Sequence, residues 1–491
     1  MTRTRHNLLP RIFCSALLVV WASVALTASS SAARSAPAKP NIIFILADDL
    51  GYGDLGCYGQ KVIKTPNIDR VASEGLRFTD AYAGGAVCAP SRCVLLTGLH
   101  IGHARIRGLR PVNLPGANLE ASDITIAEVL KDAGYTTGCI GKWGLGEPKK
   151  FVDGLPSHQG FDSFYGYLTH GEAHNYYPPF LWRNEQREKL PNVLSKDPKF
   201  KNLVSEKKVV YSHDLLADES LKFVRQHKDE PFFLYLCFTT PHVNNQEEGD
   251  GFEVPDHGQY EKENWPSPEK GKAAMISRMD ESVGKLMALL KELHLDDNTL
   301  VVFTSDNGPP QSEGGRLPEF NDSNGPLRGY KGQLYEGGIR VPFIARWPGY
   351  IKSNTSDDSV ITFADVLPTL AKIAGGKAPT ELDGLDFSPT LLGRQEQPQL
   401  TDRILYWEYG KYGVYLQAAR WKNWKAVHDL AKQKTELFDL SADLGESHDL
   451  AANHPDLIEK FKKFLVDARS DSAQWPLLAK DKPAGDKTPS E

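Results

Sequence analysis

Six polar residues share one setting in this chain: each lies at or just beyond the end of an apolar run. Asp48 and Asp49 end "NIIFILADD", Lys142 ends "YTTGCIGK", and His242 closes the "TTPH" that follows "PFFLYLCF". Asp306 and Asn307 end "TLVVFTSDNG", and Lys331 follows in "GYKGQLYEGGIRVP". Three carboxylates and one amide oxygen are hard ligands, suited to Ca²⁺ or Mg²⁺ and poor for zinc or copper. One such Asp alone is most simply an N-cap or turn acid. Two separate pairs at two strand ends point to a metal site.

Cys88 belongs with them. It stands in "GGAVCAPSRCVLLTG", residues 84–98. Pro90 suits the first position of a helix running through "SRCVLLTG", with Cys88 at its positive end. Arg92, Lys142, Lys331 and His242 add positive charge. Such a site wants a tetrahedral oxyanion beside a metal, with a nucleophile beneath it. A thiolate beside a hard cation is a soft–hard mismatch, so the working group at position 88 reads as an oxygen.

The elements that must bring these residues together alternate. Continuous apolar strands are followed by amphipathic helices, as in "TPNIDRVASEGLRF" (capped by Thr65, with Pro66 first), "SDITIAEVLKDAGY" (capped by Ser122, ended by Gly134), "HDLLADESLKFVRQH" and residues 272–294. This predicts an α/β fold, with a large mainly parallel, mixed sheet covered by helices on both faces. Ligands then bind outside the carboxyl ends of the strands. From about residue 395 short aromatic runs, "DRILYWEYG", "YGVYLQAARW" and "WKAVHD", predict a smaller C-terminal antiparallel sheet, with "HPDLIEKFKKFLVDA" as a helix packed on it. The expected division is 1–36 export segment, 37–395 catalytic domain, 396–475 antiparallel subdomain and 476–491 frayed tail.

Composition bounds the rest. The chain has 491 residues, 40% hydrophobic and 24% charged, which excludes a mainly disordered protein. The basic start, the apolar "IFCSALLVVWASVALTA" and the small-residue stretch after it have the order of a secretory signal. An uncleaved anchor is the alternative, and no later segment is apolar enough to span a membrane. Loss of Arg3, Arg5, Arg11 and Arg34 takes the formal charge from −6 to −10. An acidic mature protein argues against a nucleic-acid partner. Of the remaining cysteines, Cys93, Cys139 and Cys237 sit in apolar runs and read as core. With Cys57 and Cys88 they match neither a zinc pattern nor a dense disulfide scaffold.

The residues resemble a known family, the type I sulfatases of the alkaline phosphatase superfamily. "CAPSRCVLLTG" matches their C-x-P-S-R-x-x-x-L-T-G signature, whose cysteine is oxidised to Cα-formylglycine. The resemblance continues over about residues 40–375, through "DDLGYGDLGCYG", "TPNIDRVASEG", "GKWGLG", "TTPH", "SDNG" and "GYKGQLYEGGIRVP". It implies that Asp48, Asp49, Asp306 and Asn307, with the modified residue 88, hold one Ca²⁺ per subunit, with Mg²⁺ as the variant. It implies that Pro90 and Arg92 are read by a formylglycine-generating maturation enzyme, and that Arg92 then orients the formylglycine. Lys142, His242 and Lys331 become sulfate-binding and proton-transfer residues. The implied reaction is hydrolysis of a sulfate monoester in a secreted or periplasmic enzyme. Phosphate or phosphonate monoester hydrolysis on the same scaffold, or an inactive sulfatase-like binding protein, are the alternatives.

One position departs from the pattern. The family often has histidine where this chain has Gly144. His170 and His174, in "GYLTHGEAHNYYPPFLW", are the nearby histidines. That loop also bears on the substrate. His174 and Asn175 are expected substrate contacts, and Tyr176, Tyr177 and Trp182 offer flat faces for a sugar or aryl ring. The competing reading is an aromatic cluster that closes a long loop over the core. The acidic stretch 247–263 reads as a solvated insertion. Export and the mixed polar–aromatic loop favour a sulfated carbohydrate over a small aryl ester.

Overall fold

The computed structural model describes residues 1–2 and 39–477, apart from 201, 202, 248, 318, 396, 412 and 413. The expected export segment from residue 3, and the tail from residue 478, lie outside the described residues. Among those described, no helix is long and apolar enough to cross a membrane.

Ten strands form one sheet: β1 (Asn41–Ala47), β2 (Leu76–Phe78), β3 (Thr136–Lys142), β4 (Ser163–Tyr167), β5 (Phe180–Arg183), β6 (Gln186–Lys189), β7 (Phe232–Cys237), β8 (Thr299–Ser305), β9 (Phe343–Arg346) and β10 (Thr355–Asp357). Their order across the sheet is β10-β2-β9-β8-β1-β7-β3-β4-β5-β6. The central four, β8, β1, β7 and β3, are parallel neighbours whose carboxyl ends are nearly flush: Ala47 pairs with Ser305, Leu46 with Cys237, and Cys237 with Gly141. This register lines up Asp48, Asp306, Lys142 and the turn leading to His242 along one edge.

The apolar runs are continuous because both faces are covered. Ile43, Ile45, Leu234, Leu236, Val301 and Phe303 face α1 (Pro66–Ser73), α4 (Ser212–Gln226) and α5 (Ser267–Glu292). Ile42, Phe44, Leu46, Phe233, Tyr235, Leu300 and Val302 face α2 (Cys88–Thr97), α3 (Ile126–Asp132) and α6 (Val366–Ala374). Each such side chain contributes about 1.5–3 kcal/mol by burial.

Two local readings change. Helix α2 begins at Cys88 itself, with Pro90 as its third residue. A proline fits anywhere in a first turn, where backbone N–H groups have no intrahelical partner. Helix α3 is capped by Thr125, whose hydroxyl accepts from Glu128 N while Glu128 reaches back to Thr125 N; Ser122 lies in the preceding turn. The segment containing β9 runs antiparallel to β8, and the hairpin β5–β6 extends the far edge.

The C-terminal sheet has four antiparallel strands, β11 (Ile404–Lys411), β12 (Val414–Trp421), β13 (Trp424–Asp429) and β14 (Lys434–Asp439), in sequential order. The fourth, "KTELFD", gives too weak an apolar alternation to stand out in the sequence. One face buries Trp407, Ala418, Val427 and Phe438 against Tyr82, Leu334 and Ile339. Helix α7 (Pro455–Asp467) sets Phe461 and Leu465 in the cluster that holds Tyr406, Ala419 and Leu437.

Candidate active site

Asp48, Asp49, Asp306 and Asn307 are all fully buried at the carboxyl ends of β1 and β8. Asp49 N donates to Asp306 Oδ1 at 3.2 Å, and Asn307 Nδ2 donates to Asp49 Oδ1 at 2.8 Å. Asp49 has φ of 64°, a left-handed backbone that Asp tolerates better than most residues. Two oxygens are left over: Asp48 Oδ1 and Asn307 Oδ1 are buried with no hydrogen-bond partner. Each such orphan costs about 1–3 kcal/mol, and a cation would satisfy both. Ligand atoms of Asp48, Cys88 and Asp306 all lie within 4.8 Å of one another. The donor set therefore fits a hard divalent cation.

Three cations balance the three carboxylates. Lys142 Nζ lies 2.6 Å from Asp48 Oδ2, and Lys331 Nζ 2.7 Å from Asp49 Oδ2. Arg92 Nη2 lies 2.8 Å from Asp306 Oδ2, and its Nη1 donates to the Lys142 carbonyl at 2.9 Å. Burial would raise the Asp48 pKa, but Lys142, helped by His242 and Arg92, holds it well below the usual carboxylate range. Asp306 goes the other way: burial and then repulsion from Asp48 push it up to about 7 against the pull of Arg92.

Cys88 opens α2 and is buried, with Pro90 and Arg92 buried in the same helix. First-turn N–H groups and the helix dipole make this a site for negative charge. Burial nonetheless raises the thiol pKa: Lys142 pulls it down, while Asp48 and Asp306 push it further up. An unmodified Cys88 is thus a neutral thiol, not a ready nucleophile.

His242 Nδ1 lies 2.6 Å from the Val243 carbonyl, and its Nε2 lies 3.1 Å from Lys331 Nζ and 3.5 Å from Asp49 Oδ2. Burial and then Lys331 hold its pKa well below the ordinary value. Its backbone is clamped by Tyr176, whose hydroxyl lies 2.7 Å from Thr239 O and 2.6 Å from His242 O. The ring of His174 stacks on that of His242, with centroids 4.6 Å apart and planes 19° apart.

The 166–182 segment is framework where flat ligand-binding faces were expected. Tyr176, Tyr177 and Trp182 are buried. Trp182 Nε1 donates to Glu172, and Tyr176 and Tyr177 pack on Tyr211. The Asn175 amide accepts from Tyr177 N at 2.8 Å and lies 3.5 Å from Ser205 Oγ, so both its ends are engaged within the fold. Gly144 has φ of 79°, and a Cβ there would meet only His170 Cβ, at 3.9 Å. The acidic stretch is also more than a solvated insertion: Phe252 and Tyr260 are buried, and buried Glu253 accepts from Asn244.

Sequence reasoning missed what ties these segments together. Lys272, on α5, is fully buried and lies 2.9 Å from Asp54 Oδ1. One turn earlier Glu269 accepts from Leu317 N and, at 2.9 Å, from Asn321 Nδ2. Gly53 N donates to Ser323 O at 2.7 Å. The chain following Asp49 and the chain following Asn307 are thereby joined to one helix. In sequence, Lys272 looks like any surface lysine of an amphipathic helix, and nothing near Asp54 marks it as the partner.

Comparison with known proteins agrees with this arrangement. A family profile described as "Sulfatase" matches residues 40–376, and one described as "N-sulphoglucosamine sulphohydrolase, C-terminal" matches residues 330–471. Arylsulfatase A of Homo sapiens is 35% identical, covering 92% of this chain and 91% of its own length. The N-acetylgalactosamine-6-O-sulfatase of Bacteroides thetaiotaomicron is 30% identical, covering 88% and 93%. The crystal structure of Ps i-CgsB in complex with k-i-k-neocarrahexaose has a TM-score of 0.75 and 29% identity, covering 90% of this chain and 96% of that one.

Proposed function

The chain belongs to the sulfatase family, and from that premise we propose how its residues divide the hydrolysis of a sulfate monoester to an alcohol and inorganic sulfate. The observation that carries the proposal is the buried oxygen cluster, with two unsatisfied oxygens, beside the positive end of α2.

Asp48, Asp49, Asp306 and Asn307 would hold one divalent cation together with residue 88. We favour Ca²⁺ over Mg²⁺: the donors are fully buried protein oxygens, whereas Mg²⁺ usually keeps several waters. When both are in place, a hydrated formylglycine made from Cys88 supplies the attacking oxygen and the cation supplies positive charge beside it. Lys142 and Lys331 bind the sulfate oxygens and offset the charge that spreads over them. Arg92 fixes Asp306 and, through the Lys142 carbonyl, the end of β3. His242 delivers a proton through Nε2 to the departing alcohol, with Lys331 as the adjacent source. His174 is the loop residue we assign to the substrate, and Asn175 shapes that loop from within.

Cys88, Pro90 and Arg92 are buried in the folded chain, so a maturation enzyme that reads them acts on the unfolded polypeptide. Export to the periplasm or beyond belongs to the same reading. We assign the substrate to the sulfated carbohydrates, small or oligomeric. The relative that is an N-acetylgalactosamine-6-O-sulfatase and the neighbour seen with a neocarrahexaose support that class.

Side-by-side turnover of matched sulfate and phosphate monoesters tests the proposal. Sulfate esters should be preferred. Equal or better phosphate turnover would overturn it.

A further inference from the structure

The pairing of β1 with β8 ends at Ala47 and Ser305. Asp49 and Asn307 lie beyond it, on chain that turns away from the sheet, so their oxygens need other anchors. One is close at hand: Ser305 Oγ accepts from Leu50 N at 2.9 Å and donates to Asn307 O at 3.0 Å. The second is the buried group around Lys272.

Lys272 Nζ lies 2.9 and 3.1 Å from the two carboxylate oxygens of Asp54, and it also bonds Ser323 Oγ. Asp54 Oδ2 in turn accepts from Gly51 N at 2.8 Å, two residues after Asp49. On the other side Ser323 Oγ accepts from Arg316 Nη2 at 2.7 Å. Arg316 Nη1 donates to the carbonyl of Pro310, three residues after Asn307. Lys272, Asp54, Ser323 and Arg316 are all buried. The two segments also touch directly, since a Cβ on Gly51 would run into the Ser323 carbonyl. Burial and then Arg316 lower the Lys272 pKa to about 8, against the pull of Asp54 and Glu269, so its ammonium is charged at neutral pH. A buried ion pair adds little net stability over packed apolar side chains of the same volume. What it adds here is directional bonds to both segments, which apolar packing does not supply.

We infer that Lys272 is a positioning residue for the metal cluster: through Asp54 and Ser323 it holds the chain after Asp49 and the chain after Asn307 at the spacing a divalent cation requires. This rests on the reading that Asp48, Asp49, Asp306 and Asn307 hold that cation.

The test is calorimetric titration of Ca²⁺ into the full chain stripped with a chelator, with the metal-free unfolding midpoint measured beside it. Lys272→Met and Asp54→Asn break the same bridge but change the local charge in opposite directions. Positioning requires that each raise the Ca²⁺ Kd, by about 10–100-fold, the range for lost partners of metal ligands. The double variant should be little worse than either single one. Charge attraction alone gives a different pattern: Lys272→Met would tighten Ca²⁺, and Asp54→Asn would weaken it. That pattern, or any other in which only one variant binds more weakly, would overturn the inference. A Kd within about threefold of wild type in both variants would overturn it too, and a lowered midpoint would then mark a purely structural bridge. Ser323→Ala keeps the ion pair and removes the hydroxyl shared by Lys272 and Arg316, which covers the case where the charge variants do not fold. Its Kd should rise about two- to tenfold, the loss of one or two hydrogen bonds; an unchanged Kd would contradict the inference. In each of these outcomes wild type binds Ca²⁺ and the metal reading stands. A wild type that takes up no Ca²⁺ would sink that reading and the inference together.

Discussion

Lys331 Nζ lies 3.1 Å from His242 Nε2, while His242 Nδ1 lies 2.6 Å from the Val243 carbonyl. The carbonyl can only accept, so Nδ1 carries the ring proton and Nε2 accepts from Lys331. Proton delivery to the leaving alcohol should therefore need both residues. His242→Gln should lower kcat by about 10²–10⁴-fold, and adding Lys331→Ala should cost little beyond the larger single loss. The effect should be largest for alkyl leaving groups, which need the proton most. A uniform loss across alkyl and aryl esters would contradict this role.

The orphaned oxygens Asp48 Oδ1 and Asn307 Oδ1 make a second prediction. Protein stripped with a chelator should gain thermal stability on addition of Ca²⁺. At a hundred times Kd the gain is about 2.7 kcal/mol by mass action. Asp48→Asn should weaken the response, since it removes charge from the donor set. The midpoint with and without Ca²⁺, read by differential scanning fluorimetry, checks both. An unchanged midpoint in wild type would mean that the cluster holds no ion.

Much of this site was legible in the sequence, because the acids and Lys142 end apolar runs and parallel strands deliver their carboxyl ends to one edge. What was not legible depends on packing between distant segments. Nothing local in "GEAHNYYPPFLW" separates Tyr176, whose hydroxyl is turned inward onto His242 O, from a ligand-facing aromatic. Helix α2 was misplaced by two residues because Pro90 satisfies the first and the third helical position equally well. Lys272 and Asp54 are 218 residues apart, and no periodic pattern links them.

A buried network away from the metal cluster gives a pH dependence. Lys425 Nζ lies 2.8 Å from Glu336 Oε1 and 2.9 Å from Glu446 Oε1. Burial, with repulsion from Glu336 against the pull of Lys425, raises Glu446 from its ordinary 4.5 to about 7. Burial opposes ionisation of Glu336 as well, but Lys425 and Arg340 outweigh it and hold that carboxyl at about 2. Between 4.5 and 7 the folded chain keeps the Glu446 proton that the unfolded chain has lost. Stability from this group is therefore full below 4.5 and is lost as pH rises through 7. Glu336 works in the opposite sense, its contribution being lost only as pH falls toward 2. Glu446→Gln should gain on wild type in urea unfolding at pH 8 relative to pH 5. An equal difference at both pH values would contradict the assignment.

The central claim is that the working group at position 88 is an oxygen, made from a cysteine that is itself too buried and too neutral to act. Mass spectrometry of the peptide containing residue 88, from a host with the maturation machinery, tests it most directly. The peptide should be about 18 Da lighter than the cysteine form, with sulfate-ester turnover proportional to the fraction converted. Full turnover by protein whose residue 88 is unmodified cysteine would contradict it.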